Sequence, residues 1–362
     1  MKSISDEDRE ILGIGVSNED ISSSQSVSLL NCEIDSVTTF SRKLTVLPKL
    51  LKNTLVVFEI TFRMFRKSIR FKPAIIHCHD TPVLPLALLL KIFTGAKVIY
   101  DAHELESQRN GLSKIGGMMT LFVERRFWRY VDRLIVVSFS IQLWYDKNVG
   151  YKKSEVILNS PLLEPDSIKS EYLRDKFSIP KSSLIFIYNG IFVPGRGIDL
   201  LISVFQNVDV GSHIVFLGDG ELKEKLVNLS NEYDNIHVHD MVPHETVVPI
   251  TRTANVGLAL IENVSLSDYY CLPNKLFEYA FSGIQVLASN FPDISSTVRE
   301  YNLGECCDVN YASLLSCVKK FELKKEQKNK KAKDLDALSW QAQEVKLRNL
   351  YLELIQEVGA LE

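Results

Sequence analysis

DYYCLPNKLFEYAFSG, residues 268–283, carries the clearest structural signals in this sequence. Pro273 suits the first turn of a helix, because its φ is fixed and it has no N–H to lose. Gly283 is typical of a helix C-terminus. The IQVLAS run that follows this glycine is apolar enough for a buried strand. The passage therefore predicts a loop, a helix and a strand in succession.

Two charged residues share one face of the predicted helix. Lys275 and Glu278 are three positions apart, within its first turn. A helix N-terminus offers unpaired N–H groups and a partial positive charge, which suit a phosphate, and a lysine adds a full charge. The pattern indicates a nucleotide-sugar diphosphate, with Lys275 at the phosphates and Glu278 at the ribose. A solvated pair of helix charges is the alternative at this point.

Length and composition describe an ordinary globular protein. The 362 residues suggest two domains, and 46% hydrophobic residues supply a sizeable core. The net charge of −3 does not indicate a nucleic-acid partner. Six cysteines without a CxxC pair favour reduced thiols in a cytoplasmic protein over disulfides or a zinc site. No secretory signal opens the sequence, and no apolar stretch is long and uninterrupted enough to cross a bilayer.

In the first half, apolar strands alternate with helices. The predicted strands are residues 11–16, 27–30, 74–80 and 97–104, followed by RLIVVS and EVILN. This alternation predicts a doubly wound parallel sheet, in which ligands bind beyond the C-terminal strand ends. The polar residues at such ends are His79, Asp80, His103 and Glu104.

The second half repeats this pattern after a polar link with a short helix at 161–180. Its predicted strands are residues 184–190, 213–220, 235–240 and 254–261, followed by IQVLAS. A basic run at 321–334 is interpreted as a surface helix. The helix from Ser339 has an apolar stripe that must dock on another element. We expect three parts: an N-terminal Rossmann-like domain (1–160), a nucleotide-sugar domain (161–338) and a closing helix (339–362).

Several motifs carry a family resemblance. GRGIDLLI (195–202), FLGDGELKEKL (216–226) and VPHETVVPITRTANVGLALI (242–261), together with residues 268–283, resemble the family-4 glycosyltransferases of the GT-B fold. The runs IIHCHDTPVLPLA, YDAHE and SWQAQEVKLRNLY have counterparts in the same family. The resemblance covers about residues 70–355 and implies two Rossmann-like domains, a cleft between them, and a final helix crossing back to the first domain.

The resemblance implies a role for particular residues. The implied donor-binding positions are Gly190, Arg196, Val242, Tyr270, Pro273, Asn274, Lys275, Leu276 and Glu278. Catalytic roles are implied for His103, Lys275 and Arg196. His79, Asp80 and Glu104 are expected on the acceptor side. Structural roles remain the alternatives for His103, His79 and Asp80.

The sequence also departs from the family pattern. Tyr270 stands where the family has a first glutamate, which leaves Asp268 as the alternative carboxylate, and Ile191 replaces an arginine. The strand at 11–16 resembles the second strand of the family better than the first. Two interpretations follow: the sequence lacks the first strand and helix of the family, or its first domain is divergent.

The resemblance implies a retaining, metal-independent transfer of a sugar from a nucleotide diphosphate to a saccharide or lipid-linked acceptor. Bacterial surface-polysaccharide synthesis in the cytoplasm is the expected setting. No cofactor is expected beyond the donor, and the Asp-x-Asp pairs at 6–8 and 334–336 do not resemble metal sites. The alternatives are a nucleotide-sugar-binding partner subunit with weak activity, and an epimerase. The amphipathic helix at 47–70 is either a packing helix or a peripheral contact with an anionic membrane.

Overall fold

The structure, a computed structural model, describes residues 10–16, 32–37, 39–41, 48–162, 171–324 and 335–359. Its strands are β1 (Ile11–Val16), β2 (Cys32–Val37), β3 (Ile75–His79), β4 (Lys97–Ala102), β5 (Arg133–Val136), β6 (Ser154–Val156), β7 (Ile185–Ile191), β8 (His213–Asp219), β9 (Ile236–Asp240), β10 (Val256–Ala259), β11 (Gln285–Ser289) and β12 (Gly304–Cys307).

The helices alternate with these strands along most of the chain. They are α1 (Lys49–Phe71), α2 (Leu84–Thr94), α3 (Lys114–Phe127), α4 (Phe139–Asn148), α5 (Tyr172–Phe177), α6 (Ile198–Phe205), α7 (Lys223–Glu232), α8 (His244–Thr251), α9 (Leu266–Tyr269), α10 (Asn274–Phe281), α11 (Pro292–Glu300), α12 (Tyr311–Leu323) and α13 (Trp340–Gly359).

Two parallel sheets form the body of the molecule, which confirms the prediction of two doubly wound units. A four-stranded sheet has the order β3-β4-β5-β6, and a six-stranded sheet has the order β12-β11-β10-β7-β8-β9. In the second sheet, β8 and β9 are added on one side of β7, and β10 to β12 on the other. The strand order therefore reverses between β7 and β10, where open parallel sheets bind their ligands.

The second sheet is buried on both faces. Ile214 and Phe216 of β8 pack into one core cluster, whereas Val215 and Leu217 pack into another. Successive side chains of a strand point to opposite faces, so both faces need apolar residues. This explains the unbroken apolar run that identifies β8 in the sequence.

The closing helix α13 covers one face of the first sheet, as the resemblance implied. Its Leu350 and Leu354 pack against Ile99 of β4 and Ile135 of β5. Polar contacts reinforce this packing, since Glu357 forms an ion pair with Arg133. The far end of the sequence thus completes the core of the first half.

Strands β1 and β2 form a separate two-stranded parallel sheet. The strand at 11–16 was predicted correctly, but β2 was not, because Glu33 and Asp35 interrupt its apolar pattern. The predicted strand at 27–30 lies outside the described residues. Among the strands that the structure describes, none joins this sheet to β3.

Other differences from the sequence predictions are local. Helix α9 replaces part of the predicted loop before α10, and its first turn is capped by Ser265, whose hydroxyl accepts the Asp268 N–H at 3.1 Å. Strand β12 and most of helix α12 were not predicted. Residues 325–334, most of the basic run, lie outside the described residues. None of the described helices combines the length and apolarity that a bilayer-spanning segment needs.

Candidate active site

The N-terminus of α10 lies beside the point where the strand order of the second sheet reverses. Pro273 precedes the helix in an extended conformation, with φ −78°, and no side chain caps the first turn. The amides of that turn therefore lack the side-chain partner that most helix N-termini have. An uncapped N-terminus at such a position suits an anion.

Lys275 extends from this turn toward the end of β7. Its Nζ lies 3.8 Å from the centroid of the Tyr188 ring, and a Cβ built on Gly190 would be 3.5 Å from it. Burial and the charge of Arg196 lower the pKa of Lys275 to about 7, and the charge of Glu278 acts in the opposite direction. The described residues place no carboxylate within ion-pair distance of this amine. Lys275 is thus an amine held without its own counter-ion.

Arg196 supplies a second positive charge near Lys275. Its guanidinium lies 3.6 Å from the carboxylate of Asp268, at ion-pair distance. Asp268 also accepts a hydrogen bond from the Ser265 hydroxyl at 2.8 Å. The carboxylate that the sequence offered in place of Tyr270 is therefore a partner of Arg196 in this structure.

Glu278 lies one turn beyond Lys275 and is half-buried. Burial raises the pKa of Glu278 above its usual value, because its effect outweighs the charges of His244 and Lys275. Asn274, at the start of the helix, is exposed, whereas Leu276 is fully buried in the core. Any contact of Leu276 with a ligand must therefore come from its backbone.

The two remaining predicted donor residues lie around this helix. Val242 packs against the core between β9 and α8. The Tyr270 side chain packs against the core of the first sheet, and its carbonyl accepts a hydrogen bond from the Ser138 hydroxyl at 2.6 Å. Tyr270 therefore connects the two halves of the molecule.

Three histidines and one aspartate gather at the C-terminal ends of β3 and β4. His79 Nδ1 lies 2.8 Å from His103 Nε2, and His77 Nε2 lies 2.9 Å from the carboxylate of Asp101. Burial would raise the pKa of Asp101, but hydrogen bonds from His77 and His79 outweigh it and hold that pKa well below its usual range. The pKa of His77 is lowered, because the effect of burial outweighs the hydrogen bond and the charge of Asp101. The cluster therefore holds a carboxylate among imidazole rings.

A second polar group lies next to this cluster. Burial and the charge of Asp80 raise the pKa of Glu106 to about 7, although Arg109 opposes them. Arg109 contacts Glu106 at 3.4 Å and Glu104 at 3.1 Å. Asp80 adopts φ 62°, which non-glycine residues seldom do, and its backbone N–H donates to the Asp101 carbonyl at 3.0 Å. The structure thus joins Asp80 and Glu104 to one network.

A short chain of contacts links the two groups of candidate residues. The backbone N–H of Leu105, two residues after His103, donates to the Ser267 hydroxyl at 3.1 Å. Ser267 precedes Asp268, the partner of Arg196. The loop after the histidine cluster is therefore joined directly to the segment that carries Asp268.

Sequence reasoning missed a residue that orients α10. The Tyr279 hydroxyl accepts the N–H of Asn189 at 2.9 Å and donates to the Leu258 carbonyl at 3.2 Å. A Cβ on Gly257 would lie 2.2 Å from the Tyr279 ring, so only glycine fits there. The one available signal was a glycine inside the apolar run of β10. Sequence reasoning also gave no role to His77, Asp101, Glu106 or Arg109.

Comparisons with known proteins agree with this architecture. A model described as Glycosyltransferase Family 4 matches residues 29–160, and one described as Glycosyl transferases group 1 matches residues 169–335. The chain is 26% identical over 310 residues to the chitobiosyldiphosphodolichol beta-mannosyltransferase of Candida glabrata, covering 74% of this chain and 68% of that protein.

Solved structures share the fold at low identity. Sucrose-phosphate synthase from Thermosynechococcus elongatus matches with a TM-score of 0.75 and 15% identity, over 96% of this chain and 90% of that one. The HepE protein of Anabaena, solved in complex with UDP, matches with a TM-score of 0.68 and 12% identity, over 96% of this chain and 100% of that one.

Proposed function

Because this chain belongs to the family-4 glycosyltransferases of the GT-B fold, we propose that it transfers a sugar from a nucleotide-diphosphate donor to a saccharide or lipid-linked acceptor. The acceptor would approach from the first sheet, and the donor would bind at the second. Transfer would take place in the cleft between Lys275 and His103.

One observation carries the donor half of the proposal: Lys275 is a largely buried amine without a carboxylate partner among the described residues, next to an uncapped helix N-terminus. A diphosphate would supply the missing negative charge. Lys275 and Arg196 would then stabilise the charge that develops on the departing nucleotide. Glu278, one turn later, would accept hydrogen bonds from the ribose hydroxyls. Gly190 would let the backbone approach the phosphates.

The acceptor half of the proposal rests on the histidine cluster. His103 and His79 are the exposed members, at 46% and 59% of their side chains. The buried carboxylate of Asp101 lies beside both rings, and a hydrogen-bond partner on one ring nitrogen fixes the tautomer and orientation of a histidine. We propose that His103 contacts the transferred sugar and that His79, Asp80 and Glu104 line the acceptor side.

The proposal also covers the identity of the transferred sugar and the anomeric configuration of the product. The Candida glabrata relative is named as a beta-mannosyltransferase that acts on a dolichol-linked saccharide, which favours a hexose donor and a lipid-linked acceptor. The family resemblance favours retention of anomeric configuration, whereas the beta linkage in the relative's name would require inversion from an alpha-linked donor. NMR analysis of the product anomer tests this point separately, because inversion would refute retention and leave glycosyl transfer intact.

The first experiment is a calorimetric and thermal-shift screen against UDP-, GDP-, ADP- and CMP-sugars. We expect one class to bind, and Lys275→Ala and Glu278→Ala each to weaken that binding at least about tenfold. Lys225→Ala is the matched control, because this exposed lysine pairs with Asp199 on the surface. No binding of any nucleotide sugar to the folded protein would refute the donor site.

Transfer is then measured with lipid-linked acceptors. Donor binding without turnover would instead support a partner subunit, and conversion of the donor alone would support an epimerase. Since Lys275 and Arg196 would together offset the charge of the diphosphate, we expect EDTA to leave the transfer rate unchanged. Loss of activity in EDTA that Mg²⁺ or Mn²⁺ restores would contradict metal independence.

A further inference from the structure

Three histidine nitrogens, all potential metal ligands, surround one carboxylate oxygen at the end of the first sheet. Asp101 Oδ2 lies 2.9 Å from His77 Nε2, 3.5 Å from His79 Nδ1 and 3.7 Å from His103 Nε2. Ligand atoms of His77, His79 and Asp101 all fall within 4.8 Å of one another, and no other group of this kind occurs among the described residues. His103 joins them through its 2.8 Å contact with His79.

The separations among the ligand atoms of His77, His79 and Asp101, all within 4.8 Å of one another, suit a small tetrahedral ion. Zinc binds histidine nitrogen and carboxylate oxygen at about 2.0–2.2 Å, so its ligands lie about 3.3 Å apart. The distances from Asp101 Oδ2 to the three histidine nitrogens are 2.9, 3.5 and 3.7 Å, and the His79–His103 distance is 2.8 Å. These distances lie on either side of that value. We propose that His77, His79, Asp101 and His103 bind one divalent transition-metal ion, with Zn²⁺ as the best match. Imidazole-rich sites prefer such ions to Mg²⁺ or Ca²⁺.

The surroundings of the cluster support a built site. His77 Nδ1 lies 2.7 Å from the Tyr351 hydroxyl of α13, which fixes the ring and leaves Nε2 toward Asp101. Metal-bound histidines commonly have such an outer partner on their second nitrogen. The His77 and His79 rings are stacked with centroids 4.4 Å apart. His103 lies outside the group whose ligand atoms are all within 4.8 Å of one another, so its exposed ring must turn toward the ion to become the fourth ligand, while His77, His79 and Asp101 stay in place.

The ion would coordinate the ring nitrogens of His103 and His79. The proposed function, on which this step rests, assigns these two residues to the transferred sugar and the acceptor. Zn²⁺ should therefore inhibit transfer, and EDTA should relieve that inhibition. Metal binding itself does not depend on the proposed function. Binding without any transfer activity would leave this inference standing, whereas transfer that is insensitive to Zn²⁺ would contradict only the inhibition.

The test is titration of the EDTA-treated, dialysed protein with Zn²⁺ by calorimetry, with Co²⁺ absorption as the reporter of tetrahedral coordination. We expect one ion per chain and no binding of Mg²⁺. His79→Gln and His103→Gln change exposed side chains, so they should fold normally and weaken binding more than about tenfold. Tyr351→Phe should weaken it about tenfold through the outer contact.

A second histidine pair provides the matched control. His213 Nδ1 and His237 Nε2 are 2.9 Å apart, in a stacked arrangement like that of His79 and His103. His237→Gln should bind Zn²⁺ as tightly as the unaltered protein. The inference is overturned if the folded protein binds no Zn²⁺, or if His79→Gln and His103→Gln bind it with unchanged affinity.

Discussion

At the scale of single residues, the main feature is a lysine whose charge is incompletely stabilised. Lys275 is surrounded by the Tyr188 ring, the Gly190 backbone and the charge of Arg196. Burial and Arg196 both favour its neutral form, while Glu278 favours the charged form. A diphosphate placed here would favour the charged form strongly. Ligand binding and proton uptake should therefore be coupled at this residue.

We predict that donor binding takes up one proton above neutral pH. The pKa of Lys275 is lowered to about 7 in the free protein and should rise when the diphosphate binds. Below that pKa the amine is already charged; above it, affinity should fall by up to about tenfold per pH unit. Calorimetry in buffers of different ionisation enthalpy, at about pH 6 and about pH 8.5, measures the protons taken up.

Lys275→Arg is the control for this prediction, because a guanidinium stays charged throughout this range. Its donor affinity should depend much less on pH, and its binding should take up no proton. The prediction fails if the unaltered protein binds the donor at about pH 8.5 without proton uptake.

The same scale shows which residues could be predicted from the sequence. Lys275 and Glu278 stand out because a proline marks the helix start and three positions separate them. His77 and Asp101 do not, because their roles depend on distant partners: the hydroxyl that contacts His77 lies 274 positions away, on Tyr351. Local patterns predict what lies at a helix or strand end, whereas tertiary packing decides which ends meet.

At the scale of elements, a buried carboxylate joins β4, α3 and α4. Glu124 is fully buried and accepts hydrogen bonds from the Tyr100 hydroxyl at 2.8 Å and the Tyr145 hydroxyl at 2.6 Å. Burial raises the pKa of Glu124 above its usual value, because its effect outweighs that of these hydrogen bonds. One side chain thus stabilises the contact of two helices with one strand.

We predict that Glu124→Ala lowers the free energy of unfolding by about 3 kcal/mol, since buried hydroxyls that lose a partner cost about 1–3 kcal/mol each. Glu124→Gln keeps one acceptor and should cost less. Chemical denaturation measures both effects. Glu232→Ala, at an exposed position of α7, should stay within about 0.5 kcal/mol of the unaltered protein. Equal stability of Glu124→Ala and Glu232→Ala would refute this role.

The closing helix gives a second prediction at this scale. Leu354 of α13 is fully buried against the first sheet, whereas Leu352 of the same helix is 42% exposed. Leu354→Ala should lower the free energy of unfolding by about 2–5 kcal/mol, because it leaves a cavity. Leu352→Ala should have a much smaller effect, since helix propensity favours alanine slightly. Similar losses for both variants would mean that α13 does not dock as described.

Helices and strands could be predicted from the sequence where a single physical rule determines the pattern of apolar residues. Strands such as β8 are buried on both faces and therefore appear as unbroken apolar runs. Strand β2 was missed because it is half-exposed and carries Glu33 and Asp35. Helix α9 has only four residues, too few for a helical period to show. Its Ser265 cap is visible in the sequence, but serines are as common in polar loops and turns as at helix starts.

At the scale of the whole molecule, the C-terminal ends of the two large sheets face one another across loop contacts. Besides the Leu105–Ser267 contact, the backbone N–H of Ser140 donates to the Asp293 carboxylate at 3.1 Å. The loops that follow strands of the first sheet therefore contact segments that follow strands of the second sheet.

The outer surface of the first half has an unusual composition. Helices α1, α2 and α3 lie side by side and expose large apolar residues, among them Phe58 (69%), Ile92 (74%) and Ile115 (70%). Basic side chains such as Arg63 and Arg66 lie among those of α1. Apolar and basic groups together suit an anionic bilayer, where each basic residue near the surface contributes about 1 kcal/mol. We propose that this surface contacts the membrane that holds the lipid-linked acceptor.

The last prediction tests this surface. Replacing Phe58 and Phe62 by Asp removes two exposed aromatic rings and adds negative charge, without altering the described core. Burying one such ring in the bilayer contributes about 1.5–3 kcal/mol, so the double variant should bind vesicles at least about a hundredfold more weakly. Co-sedimentation with phosphatidylcholine vesicles, with and without phosphatidylserine, measures this binding.

Val208→Asp is the control for the double variant, because Val208 is 97% exposed in the second half of the molecule. It should bind vesicles like the unaltered protein. Binding should also require phosphatidylserine and weaken with added salt, since screening acts on exposed charges. Equal binding to neutral vesicles would mean that the basic residues of α1 make no contribution. Equal binding by the double variant would place the membrane contact elsewhere and leave α1 with the packing role that the sequence also allowed.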